Sequence, residues 1–187
     1  STIINNMTFA SAITIYGGGE NLTQKGNSEL TIKNSNFNNS ANIYGGAKDG
    51  TVNGSIKLNI KDTNFTGATT IYRGCNNASY SPNQDSNISE SFENINITSN
   101  NSAIYGGSNT GVINSDLSFS IIDGMFLNNS CKAVIYGGSN SGTINGSLNF
   151  EVNGVTLENN IIGTSNTGNI TKNSTVNINN STLRGKL

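Results

Sequence analysis

A four-residue phrase returns along this chain at near-regular intervals. It reads Ile15-Tyr16-Gly17-Gly18, Ile43-Tyr44-Gly45-Gly46, Ile71-Tyr72-Arg73-Gly74, Ile104-Tyr105-Gly106-Gly107 and Ile135-Tyr136-Gly137-Gly138, with a degraded copy at Ile161-Ile162-Gly163-Thr164. A second pattern keeps step with it, an apolar residue followed five positions later by another. Its members are Ile4/Phe9, Ile32/Phe37, Ile60/Phe65, Phe92/Ile97, Ile121/Phe126, Val152/Leu157 and Ile178/Leu183. From pair to pair the chain advances roughly 26 to 32 residues, inside the ~20–50 window of stacked repeats. A unit this short cannot bury its own apolar face. It does so only by lying against the next unit.

Each unit predicts three short strands. The first alternates apolar and polar residues with period two, as in Leu30-Thr31-Ile32 and Leu148-Asn149-Phe150-Glu151-Val152. The second surrounds the Phe, and the third ends at Ile-Tyr. The Gly-Gly pair is expected at a corner with positive φ, and the phrase after it turns the chain back. No 3.6-residue apolar period occurs, so no helix is predicted. The expected fold is all-β: a single-stranded parallel β-helix of about seven coils, one domain over 1–187 with a loop insertion at 75–89. At ~4.8 Å per coil it makes a rod on the order of 30 Å long. Two residues beyond each first-strand anchor stand Asn6, Asn34, Asp62, Asn94, Asp123, Gly154 and Asn180. These types tolerate left-handed backbone and make Asx-type bonds, so a stacked turn ladder is expected there.

On these residues the chain resembles the parallel β-helix (β-solenoid) proteins, whose asparagine ladders occupy such a turn. It is also similar to the Asn- and Gly-rich, YGG-containing repeats of microbial adhesin-like surface and fibre proteins. The resemblance implies a stacked-coil rod. It leaves function open, because adhesins, fibres, polysaccharide lyases and capsid spikes share this architecture.

Composition narrows the field. Of 187 residues only 11% are charged, His and Trp are absent, and the net charge is −1. No bulk field attracts nucleic acid, and no apolar run approaches the ~20 residues of a membrane span, so neither partner is expected. The eleven acidic residues are scattered, and Glu90 and Glu93 point to opposite faces of an alternating strand. No carboxylate pair has the spacing of a glycosidase, and no nucleophile–base pair, phosphate loop or metal-ligand spacing stands out. No catalytic, cofactor-binding or metal residue is assigned, and a polysaccharide lyase or hydrolase is the least favoured function.

Three features remain. Tyr16, Tyr44, Tyr72, Tyr105 and Tyr136 share one register. They form either an exposed strip for stacking on sugar rings or a self-stacking ladder covering the glycine corner, and the second reading is favoured. Fifteen Asn-x-Ser/Thr sequons occur, roughly twice what random placement gives. The candidates for N-glycosylation are Asn21, Asn38, Asn53, Asn77, Asn87, Asn128, Asn145, Asn169 and Asn173, all expected in loops. Cys75 and Cys131 are expected to form a disulfide in a secreted chain. Their coils are two apart, about 9.6 Å against a usual Cα separation of ~4.4–6.8 Å, so the 75–89 insertion has to fold across the gap.

The open ends of a β-helix expose strand edges. End-to-end stacking into a fibre, or continuation of a longer solenoid, is expected. Low charge favours the first, and Arg184 and Lys186 oppose it. The expected function is a non-catalytic, extracellular (secreted or cell-surface), glycosylated structural rod: a filament subunit or a surface stalk. The alternative is an adhesin module that binds carbohydrate or a host receptor.

Overall fold

The computed structural model describes residues 1–123, 126 and 131–187. Among them the chain is all-β, without a helix, and winds as a parallel β-solenoid of six complete turns. A seventh first strand and second strand follow. The expected seven coils are therefore six, with the last pair of anchors opening a further turn.

The first column of the cross-section holds Thr2–Asn5, Ser28–Lys33, Ile56–Phe65, Ile88–Ile97, Leu117–Ile122, Leu148–Asn153 and Ser174–Asn179. Their alternation puts one face inside. In Ser28–Lys33, for example, Leu30 and Ile32 are fully buried while Thr31 and Lys33 are not. The chain then bends at Asn6, Asn34, Asp62, Asn94 and Asn180, where φ lies between 47° and 56°, and at Gly154, where φ is 73°. The short polar Asn and Asp side chains make this left-handed conformation affordable. The bend is pinned from inside. The Ser35 hydroxyl donates to the Lys33 carbonyl at 2.8 Å and accepts the Met7 amide at 3.2 Å. Thr63 and Ser181 donate to the carbonyl two residues back in the same way.

The second column carries the other anchors. Phe9, Phe37 and Phe65 stack at 4.6 and 4.8 Å, with Ile97 next in register. In the fifth turn the column position belongs to Cys131, not to the expected Phe126. Cys131 bridges to Leu157, and the following Lys132 amide donates to the Ile97 carbonyl. Phe126 lies two residues earlier in the column, opposite Ile95. The third column runs without a break through Ile13–Tyr16, Ala41–Tyr44, Thr69–Tyr72, Ala103–Tyr105, Val134–Tyr136 and Ile161–Ile162.

A fourth column replaces the expected simple return. Asn21–Gln24, Asp49–Val52 and Ser79–Tyr80 pair in parallel, and bridges continue the row through Ile113, Ile144 and Ile170. The coil thus has four sides, not three. The reason is that the phrase after Gly-Gly carries its own inward residue (Val52, Tyr80, Ile113 or Ile144, all fully buried), which fills a second, smaller core. The insertion is also shorter than 75–89. Residues 75–80 lie in the wall, the Asn83 amide still donates to the Asn53 carbonyl, and the chain leaves the coil only over 84–86 before the Asn87 carbonyl accepts from Ile56. Stacked partners are 28 residues apart in the early turns, 32 or 33 across this loop, then 31 and 26. Corners absorb the length changes, and the columns stay in register.

Candidate functional site

The tyrosine register is the most repeated feature of the surface. Tyr16, Tyr44, Tyr72, Tyr105 and Tyr136 stack with ring centroids 4.6 to 4.9 Å apart and planes within 12° of parallel. Each ring covers the face of the next. Tyr44, Tyr72 and Tyr105 retain only 6–7% exposure, and the end rings are half-buried. A sugar-stacking strip needs free ring faces, and here those faces are occupied by neighbouring tyrosines. Burial, with the adjacent tyrosines adding to it, pushes the Tyr44 and Tyr105 phenols up to about 12.

The glycines behind the stack are needed for close approach, not for left-handed backbone. Among the described residues the glycines with positive φ are Gly50 and Gly154, so the expected positive φ at Gly-Gly is not found. Instead, a Cβ on Gly45 would run into the Arg73 carbonyl, and one on Gly106 into that of Gly137. Coils pack here backbone against backbone.

Beyond the glycines lie two ladders that the sequence reading missed. The buried hydroxyls of Ser108, Ser139 and Ser165 accept the amides of Cys75, Ser108 and Ser139 at 3.0 to 3.1 Å. Next to them Asn109, Asn140 and Asn166 each donate to the asparagine one coil earlier, a row that begins at Asn76, at 2.8 to 2.9 Å. The signal was present in the repeated Gly-Gly-Ser-Asn phrase. The expected turn ladder is only partial. Asn94 reaches Asp62 at 3.1 Å, whereas Asn34 and Asn180 turn to Asn5 and Asn153. Asp123 lies beside Gly154, and Asn6 contributes its backbone conformation.

The sequons divide. The side-chain amides of Asn53, Asn77 and Asn145 donate to Ser81, Asp49 and Asn114 at 2.7 to 2.9 Å. These three belong to the wall rather than to loops. Asn21 also belongs to the wall, as the first residue of the strand Asn21–Gln24, but is exposed. Asn38, Asn87, Asn169 and Asn173 are exposed outside the strands, and Asn128 lies outside the described residues.

The cysteines form no bridge. Both are free and buried. Cys75 occupies the corner position that the later coils give to Ser108 and Ser139, whereas Cys131 is a second-column core residue. They belong to different core clusters, Cys75 at a corner of the third turn and Cys131 in the second column of the fifth, and the 84–86 excursion bridges neither. Burial raises both thiols to about 12, which leaves them protonated and unreactive.

One charged group is inside. Arg73 stands where the other coils have glycine, and Glu90 at the inward position of Leu58. The guanidinium is 1% exposed and the carboxylate 12%, and the two form an ion pair. Arg73 also donates to the carbonyls of Gly106 at 3.0 Å and Ile88 at 3.1 Å, with its Cζ 4.7 Å from the Phe119 ring centroid. Burial lowers its pKa, and the adjacent Glu90 opposes that shift. Glu93 faces solvent and pairs with Lys61. Among the described residues no group of three or more His, Cys, Asp or Glu is placed to hold a metal ion. A recess of about 260 Å³ in the first turn is lined by Tyr16, Gly18, Gly19, Glu20 and Lys48. Compared with known proteins, the chain matches no family model, no curated protein and no solved structure.

Proposed function

We propose that this chain is a non-catalytic structural rod of an extracellular or cell-surface assembly, built to stack end to end in a filament or to serve as part of a stalk. One observation carries the reading: the repeated surface chemistry is spent on the molecule itself. Tyrosine faces meet tyrosine faces, and asparagine amides meet asparagine carbonyls, from coil to coil. A ligand surface would leave those groups free. The low charge is compatible with close side-by-side or end-to-end packing. Asn21, Asn38, Asn87, Asn169 and Asn173 are the sequons available to carry glycan, which would supply solubility that so few charges do not.

The adhesin alternative predicts something different. Replacing Tyr44 and Tyr105 together by Ala abolishes glycan binding if the strip is a binding surface. Under the structural reading the same change lowers stability and alters no binding. Electron microscopy with light scattering tests assembly: rods of variable length support stacking, and single particles of one monomer mass remove it. Intact mass before and after amidase treatment of the secreted protein tests glycosylation, and an unchanged mass rejects it.

A further inference from the structure

Ladders of identical residues stabilise a solenoid without telling one coil from the next. If a coil slips by one layer, tyrosine still meets tyrosine and asparagine still meets asparagine. Length differences at the corners give little correction, because loops take up insertions at small cost. A repeat protein therefore needs an interaction that is satisfied in one register only, since mispairing of repeats is a characteristic failure of such chains.

Arg73 and Glu90 have the required property. Each occurs at its column position once. Arg73 replaces the glycine of Gly17, Gly45, Gly106 and Gly137, and Glu90 takes the position held by Leu30 and Leu58. The other ion pairs among the described residues lie on the surface. The two side chains also reorganise the wall around them. In the first column no strand pairing joins Ile88–Ile97 to Leu117–Ile122. The Ile88 carbonyl accepts from Arg73, and the Ser120 amide donates to the Glu90 carboxylate at 3.3 Å. Side-chain charges thus occupy positions that backbone groups fill in the other layers, and among the described residues the gap in the first-column ladder, between the fourth and fifth turns, is where these hydrogen bonds fall.

From this we infer that Arg73 and Glu90 form a registration lock, which fixes the third and fourth turns against the fifth. A one-coil slip would leave a guanidinium facing leucine and a carboxylate facing an aliphatic core. Removing one partner of a buried pair is costly, while replacing both by the surrounding apolar types is often neutral. The lock therefore acts on register more than on stability.

The experiment compares refolding by dilution from denaturant, with native yield measured by the amplitude of the native thermal melt and coil pairing by hydrogen exchange. Arg73→Gly and Glu90→Leu, each alone, should lower Tm by roughly 10 °C. The double variant restores the repeat's own residue types. It should melt within a few degrees of the parent but refold with several-fold lower native yield, the remainder showing misregistered coil pairing by hydrogen exchange. A double variant that refolds as cleanly as the parent overturns the inference. So does one that fails to fold at all, because the pair would then be essential for stability rather than register. A single variant with unchanged Tm shows that the charges are not buried against each other and overturns it as well.

Discussion

At the scale of single residues, the glycines and cysteines show what a position demands. Gly45 sits under the Arg73 carbonyl, while a methyl on Gly26 would meet nothing within 4 Å. Gly45→Ala should therefore cost about 2 kcal/mol, because the next coil has to move. Gly26→Ala should be neutral, or stabilise by about 0.5 kcal/mol through the unfolded chain. Urea denaturation of the two variants checks both, and equal effects would contradict the close-approach account. The cysteines are predicted to be silent. A thiol reagent should modify neither in the native protein and both after unfolding. Rapid modification of the folded chain would show that the burial of Cys75 or Cys131 is wrong. Sequence alone made these two look like a bridge because an even count says nothing about which corner of a coil each residue occupies.

At the scale of elements, the columns are held by like meeting like. Tyr105 contributes two ring faces, one to Tyr72 and one to Tyr136. Tyr105→Phe keeps both and should change stability by less than about 1 kcal/mol, whereas Tyr105→Ala opens the stack and should cost about 3 kcal/mol. Thermal melts of the pair decide it, and equal losses would place the energy in the hydroxyl instead. Asn140 lies in the middle of the inner asparagine row and both donates and accepts. Asn140→Asp keeps the shape but removes the donor to Asn109, so it should cost about 2 kcal/mol. The first-strand anchors, the left-handed turn and the tyrosine register were all legible from spacing, because period and residue type specify them locally. The fourth column was not. Its mark is a short Gly-x-Val/Ile-Asn phrase at 50–53, 111–114 and 142–145, too brief to show alternation and broken at Ala78-Ser79-Tyr80-Ser81, so by itself it reads as part of the return turn. The swap of Phe126 for Cys131 was equally hidden, since a fixed spacing of five residues does not say which later residue takes the column position.

At the scale of the whole molecule, stability should depend on alkaline pH. The phenols of Tyr44, Tyr80 and Tyr105 are raised from 10.0 to about 12 in the folded state, chiefly by burial, and that of Tyr72 is raised as well. A folded pKa above the unfolded value means that the native state holds its protons longer. This contribution is complete below pH 10 and is lost as pH rises toward 12. Denaturation midpoints should fall over that window, and phenolate absorbance of these residues should appear together with unfolding. Titration of all six tyrosines near pH 10 with the fold intact would contradict the buried stack. The sequence by itself determined that the chain winds in stacked coils. The reason is that units of some thirty residues with one apolar face have no other partner, and their apolar spacing sets the strand alternation and the turn. Only the tertiary structure decided how many sides a coil has, which glycines bear a neighbouring backbone, and which core holds each thiol. It also brought Arg73 to Glu90. Those facts depend on which residues of different coils come to lie at the same height and corner, and that is settled by packing across the cross-section, not along the chain.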